Sequence, residues 1–310
     1  MREREPIIAE PALSDQPIPR WVGIALLLAI ATIFGSNHIA ARVAFDHGTN
    51  VTTAVAFRST GTALVVLALL LFNGISLRMP GKTFAHSVFI GLLIAVQSYS
   101  LYSAVALIPV ALALLAFQTF PMLLALISWA GGGERPSRRV LLAMPVALLG
   151  LALALDVWGK SGDIAGRWDE VGAGVLWAIG ASVAFAMALY LITRWLGGMD
   201  GRLRSFLFMS VVALVTLIGG TLSNGFAVPA DGTGWMALVL LAVFYGTAIT
   251  SMFVLLPRLG AVNNAAVLNF EPIAVLGLAW LILGQAVAPL QIAGAFIVVG
   301  AIAWMGAGKR

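Results

Sequence analysis

Three side chains stand alone inside long apolar runs: His38 in Phe34-Gly-Ser-Asn-His38, Arg58 between Val51 and Phe72, and Glu271 directly before Pro272. On insertion scales an ionisable group in hydrocarbon costs roughly 2.5–3.5 kcal/mol, so each calls for a partner or a task. Glu271 can bind an amine or carry a coupling proton. The proline after it lacks an amide hydrogen and crowds the carbonyl four residues back, which frees backbone oxygen for a polar ligand. Arginine holds a carboxylate but carries no proton at accessible pH. Histidine titrates near neutral pH and can also donate to a solute. Each residue has a plainer reading in helix packing: a Glu271–Arg58 ion pair, snorkelling of Arg58 to an aqueous face, or a satisfied packing role for His38.

The run from Phe84 to Leu107 carries Gln97, Ser98, Tyr99, Ser100, Tyr102 and Ser103. Tyr99, Tyr102 and Ser103 fall at helical i, i+3, i+4 and share a face. Tyrosine pairs an apolar ring with a hydroxyl, so the face suits a cavity for a small amphipathic solute, or equally hydrogen bonding between helices. Gln118 and Asn269 each stand three residues before a proline, Pro121 and Pro272. The amides are candidate solute contacts and the prolines candidate hinges. No phosphate-binding glycine loop, His-Glu-x-x-His run, nucleophile turn or metal-spaced cluster occurs. Neither catalysis nor a cofactor or metal is expected.

The elements that must hold these residues are membrane spans. Hydrophobic residues make up 61% of the 310, charged residues 10%, and the mean hydropathy is +1.00. A helix crossing ~30 Å of hydrocarbon needs about 20 apolar residues, and such runs recur along almost the whole chain. Ten are expected. The first five are Trp21–Ala41, Val51–Phe72, Phe84–Leu107, Val110–Ala130 and Val140–Leu155; the second five are Val171–Ile192, Leu203–Thr221, Gly234–Leu256, Val262–Leu283 and Pro289–Met305. Unbroken apolar runs without alternation exclude barrel strands and leave helices. The longest loop is expected from Asp156 to Glu170. Residues 1–20, polar and holding four prolines, read as a flexible tail rather than a cleavable signal. Cysteine is absent, which excludes disulfides and thiolate metal sites.

One stretch occurs twice. Placing Pro121 on Pro272, an offset of 151, also brings Trp129 onto Trp280, Gly133 onto Gly284, Gln118 onto Asn269 and Phe34 onto Phe185. Gly150 meets Gly300 after a slip of one. The chain divides into a tail (1–20), a first five-helix repeat (21–156) and a second (171–306). Five is odd, so the second copy sits upside down: an all-α integral membrane fold of two inverted five-helix repeats. Sorting the loops by side places fourteen of the eighteen Lys and Arg residues with the termini, three on the opposite face, and Arg58 inside a span. This bias puts both termini in the cytoplasm and explains the net charge of +5 without nucleic acid. Inverted repeats are a common plan of secondary transporters, with the solute site near the midplane.

Phe34-Gly-Ser-Asn37 in the first span, Arg58 in the second, Pro121 with Glu134 after the fourth, and Glu271-Pro272 in the ninth together resemble the drug/metabolite transporter superfamily, in its ten-span EamA-type branch. Phe34 stands where that pattern has tryptophan, and Gln285 where the second repeat commonly has the acid matched by Glu134. The resemblance implies export of small metabolites from the bacterial cytoplasm across the inner membrane by alternating access. Within the branch the chain looks most like YddG-type exporters of aromatic and other neutral amino acids. Carriers of drugs, nucleosides or other metabolites share the fold and stay open as alternatives, with a channel or an intramembrane enzyme behind them. Substrate contacts are then expected from His38, Tyr99, Tyr102, Gln118, Asn269 and Glu271, with Arg58 as an ion-pair or carboxylate contact and Pro121 and Pro272 as hinges. The expected partners are the small-molecule substrate and the lipid bilayer, and a monomer is compatible with the plan.

Overall fold

The computed structural model describes residues 20–133, 135–136, 138–154, 164–259, 270–285 and 288–306. Among them are eleven helices and no strand. The first repeat holds α1 (Arg20–Asp46), α2 (Val51–Phe72), α3 (Gly81–Leu107), α4 (Val110–Phe117), α5 (Phe120–Ala130) and α6 (Arg138–Ala154). The second holds α7 (Ile164–Trp195), α8 (Gly201–Leu222), α9 (Gly232–Leu259), α10 (Glu271–Leu283) and α11 (Pro289–Gly306). Helices α4 and α5 are two halves of one span, so ten spans result.

Three differences from the sequence expectation bear on the site, beside shifts of a few residues at other helix ends. The first span runs on to Asp46 because nothing after Ala41 breaks a helix until the turn at His47-Gly48, where Gly48 takes φ +91°. The loop expected to last until Glu170 gives way to helix at Ile164. The fourth span is interrupted at Gln118–Thr119, since Pro121 cannot donate to the carbonyl of Phe117. Pro121 and Pro272 occupy the same place, the second residue of a helix, where a missing amide hydrogen costs nothing. Among the described residues each therefore sits in the first turn of a helix. The part of the ninth span before Phe270, and the tail before Arg20, lie outside the described residues.

Most of the packing is between the repeats. The α3–α7 contact is answered by α1–α9, α3–α8 by α2–α9, and α1–α10 by α4 and α5 on α7. Helix pairs α2–α8 and α6–α11 map onto themselves. Exchanging the two copies therefore leaves the arrangement unchanged, as the inverted repeat requires. Neighbours within one repeat touch far less, so each copy completes the other's core. With lipid as apolar as leucine, close backbone approach supplies the attraction. Small residues provide it: Ala104, Ala111, Ala113, Ala116, Ala178 and Ala181 are buried in the largest core. Large apolar side chains such as Leu64, Leu149, Leu176 and Leu214 face outward, where the bilayer is their solvent.

Candidate functional site

The charged site is assembled where α1 crosses α10. A Cβ on Gly35 would lie 2.8 Å from Val275 Cγ2, so glycine permits the close approach of these two helices. One turn further on, His38 Nε2 lies 3.4 Å from Glu271 Oε1, with the histidine buried and the carboxylate about a quarter exposed (26%). Glu271 is also the first residue of α10, where the helix dipole favours a negative charge. The other ring nitrogen of His38, Nδ1, is buried without a hydrogen-bond partner. The Glu271–Arg58 ion pair left open by the sequence is not formed; histidine takes the carboxylate.

Arg58 sits deeper in aromatic surroundings. Its Nη1 donates to Tyr102 Oη at 3.4 Å and its Nη2 to Ser98 Oγ at 3.0 Å. The guanidinium lies 4.8 Å from the centroid of Tyr102 and 4.0 Å from that of Tyr245 on α9, within cation–π range of both. The Tyr102 hydroxyl then donates to Asn37 Oδ1 at 2.6 Å, and Asn37 Nδ2 to Phe34 O at 3.2 Å. Asn37, Arg58, Ser98 and Tyr102 are all buried. Arg58 Nε has no hydrogen-bond partner, and among the described residues no carboxylate pairs with the guanidinium. The His38 and Tyr102 rings, 5.7 Å apart, join the two charged centres into one track across α10, α1, α3, α2 and α9.

A second polar point marks the break between α4 and α5. Ser182 on α7 donates to Phe117 O at 2.7 Å, the carbonyl that Pro121 leaves without an amide partner. Thr119 Oγ1 reaches Ala116 O at 2.9 Å and lies 3.1 Å from Ser182 Oγ. Gln118, buried at the end of α4, has a carboxamide without a hydrogen-bond partner among the described residues. Phe117, Phe120 and Phe185 pack together there, tilted or edge-on, with ring centroids 4.9–5.5 Å apart.

The residues singled out from sequence are thus only partly brought together. His38, Glu271, Tyr102 and Arg58 share one track, and Gln118 lies at the break. Tyr99 does not join Tyr102; it is partly exposed, edge-on to Trp177 at 6.3 Å. Asn269 lies outside the described residues. Tyr245, a weaker candidate of the same tyrosine type in the sequence, lies against Arg58, and Asn37 and Ser182 complete the site. Asn37 was visible in the Gly-Ser-Asn motif, and Ser182 answers the question of which hydroxyl serves the carbonyl freed by Pro121.

The sequence signature of the EamA-like transporter family matches residues 21–155 and again residues 172–307. The chain belongs to the EamA-like transporter family. It is thereby a transporter of the drug/metabolite type, carried on two copies of the EamA unit. One solved crystal structure shares the fold over 92% of this chain and 95% of its own, with a TM-score of 0.57 and 21% identity. At that identity the likeness speaks to the fold alone. No curated protein matches the chain in sequence.

In this EamA chain four contacts tie the repeats together on the face opposite the termini. His47 Nδ1 lies 2.7 Å from Asp231 Oδ2, Ala230 N donates to His47 O at 2.9 Å, Asn50 Nδ2 to Gly225 O at 2.6 Å, and Ala227 N to Thr53 Oγ1 at 3.0 Å. The Gly234 amide and His47 hold the Asp231 carboxyl below the usual carboxylate range. A depressed folded value means that this contribution is present above the unfolded value of ~3.9 and is lost as pH falls below it, through the folded value. Asp231→Asn should speed amide exchange at residues 47–50 and 225–234 by a few-fold at neutral pH, read by hydrogen–deuterium exchange. Unchanged exchange there would remove the latch role.

Proposed function

We propose that this protein exports small neutral amino acids, aromatic ones included, from the bacterial cytoplasm by alternating access, with both termini cytoplasmic. The observation that carries the reading is Arg58, a buried cation with no carboxylate of its own among the described residues. A buried charge without a counter-ion is costly, and a substrate carboxylate would supply one. The tyrosines on either side offer apolar faces to an aromatic or aliphatic side chain. Glu271 and His38, on the same track, are the groups placed to meet an ammonium or to carry a coupling proton, while Gln118 and Asn269 stand before the two helix starts. A single cation also fits a monocarboxylate better than a phosphate, which would call for several.

The test is efflux from proteoliposomes against a panel of amino acids, nucleosides and cationic drugs. Saturable efflux of neutral amino acids is expected, with Glu271→Gln and His38→Ala each lowering it about tenfold and flattening its pH profile, since either change takes away one member of the His38–Glu271 pair, 3.4 Å apart, inside the membrane. Normal transport with an unchanged pH profile in both variants would remove these residues from the site. Preference for nucleosides or cationic drugs would replace the substrate class.

A further inference from the structure

On the face that carries the termini, a groove of about 600 Å³ opens between the α2–α3 connection and the start of α8. Leu77, Met79 and Phe84 line it from the first repeat together with Arg78, and Leu203, Phe206 and Leu207 from the second. Its size falls within the ~300–1,000 Å³ of ligand clefts. The charges around it are one-sided. Arg78 and Lys82 are exposed, and Arg204 follows Leu203 directly; among the described residues none of the three forms an ion pair. Asp200 is the one acid in either flanking connection; its charge acts on Arg204, and Arg202 pairs with it at 3.1 Å. That hydrogen bond also keeps its carboxyl below the usual range, so it stays ionised and committed.

The surroundings fix the kind of occupant. Leu71 and Phe72, at the end of α2, and Phe84 in the wall are strongly exposed, as side chains facing hydrocarbon are. An apolar slot opening toward acyl chains, with Arg78 in its wall and Lys82 and Arg204 next in sequence to lining residues at the level of the span ends, is complementary to a lipid that carries a negative headgroup. We propose that this groove binds one anionic phospholipid, its phosphate held by Arg78 and Arg204 and an acyl chain laid between Phe84 and Leu207. The ligand touches both repeats at the α2–α8 and α3–α8 contacts, so its binding free energy is available to bias their relative arrangement. The inference is independent of what the protein transports.

Native mass spectrometry of the detergent-purified full chain, titrated with phosphatidylglycerol and with phosphatidylcholine of the same acyl chains, tests it. The wild-type chain should retain one phosphatidylglycerol at a concentration at least about tenfold below that needed for phosphatidylcholine. Each cation near a headgroup is worth about a factor of five, so Arg78→Gln should raise the required concentration roughly fivefold and Arg78→Gln with Arg204→Gln roughly thirtyfold. The exposed Arg78 side chain forms no hydrogen bond or ion pair among the described residues, so its single replacement should leave the fold intact and suffices if the double variant fails to assemble. Arg138→Gln with Arg139→Gln, on the same face but away from the groove, should retain the lipid as wild type does. Equal retention of the two lipids, undiminished retention by Arg78→Gln, or an equal loss in the Arg138 and Arg139 variant would overturn the proposal.

Discussion

Arg58→Ala is expected to lower efflux of neutral amino acids roughly a hundredfold, with the protein still folded and inserted. Truncating one partner of a buried charge pair costs about 2–5 kcal/mol, and every 1.4 kcal/mol is tenfold. The fold survives because the groups around Arg58 keep other partners: Tyr102 still donates to Asn37, and Ser98 to Gln97 Oε1 at 3.3 Å. Arg58→Lys keeps the charge but loses the planar fork that reaches Tyr102 and Ser98 together, so it should recover only a minor part of the loss. A packing role predicts something different. If Arg58 only joined α2 to Tyr102 and Tyr245, the alanine variant would lower thermal stability and leave selectivity alone. The deciding measurement is competition between an amino acid and the amine that lacks its carboxylate. Wild type should favour the amino acid and Arg58→Ala should not; an unchanged ratio would return Arg58 to structure.

Much of this was legible in the residues, for a physical reason. Bilayer solvent forces long apolar runs, and an odd number of them per copy forces inversion, so ten spans and two opposed repeats follow from counting. Arg58, His38 and Glu271 stand out because charge is expensive in those runs. Partners were harder to read. Which of two cations takes Glu271 depends on how closely α1 and α10 approach, and that is set by Gly35 against Val275, a contact with no trace in the spacing. The pairing of Tyr99 with Tyr102 failed for a related reason. Residues at i and i+3 point about 60° apart around a helix, and here the boundary between core and surface falls between them, leaving Tyr102 fully buried and Tyr99 39% exposed. The break at Gln118–Thr119 was hidden by an apolar run that continues through it, while Ser182, which repairs it, sits 61 residues beyond Pro121.

Glycine contacts are the other feature that pattern alone misassigns, and they carry the largest expected effect on stability. The repeat offset sets Gly150 against Gly300, yet in the folded chain Gly150 meets Gly294, where α6 crosses α11. A Cβ on Gly294 would lie 2.5 Å from Gly150 O and 2.9 Å from Ala154 Cα, both backbone atoms that cannot swing aside. The two helices would have to separate. Overpacking costs about 1–3 kcal/mol, and in a bilayer no hydrophobic drive restores a lost close contact. Gly294→Val should therefore cut the monodisperse, folded fraction after detergent extraction about tenfold or more, measured by size-exclusion chromatography. Gly150→Ala should be milder, because one of its two nearest obstacles is the movable Ile297 side chain, although Gly294 O at 2.9 Å is not. Gly300→Ala, with nothing within 4 Å of the added carbon, should match wild type. Wild-type yield from Gly294→Val would mean that α6 and α11 do not cross at these glycines, and the pairing of the two fifth spans on the repeat axis would have to be abandoned.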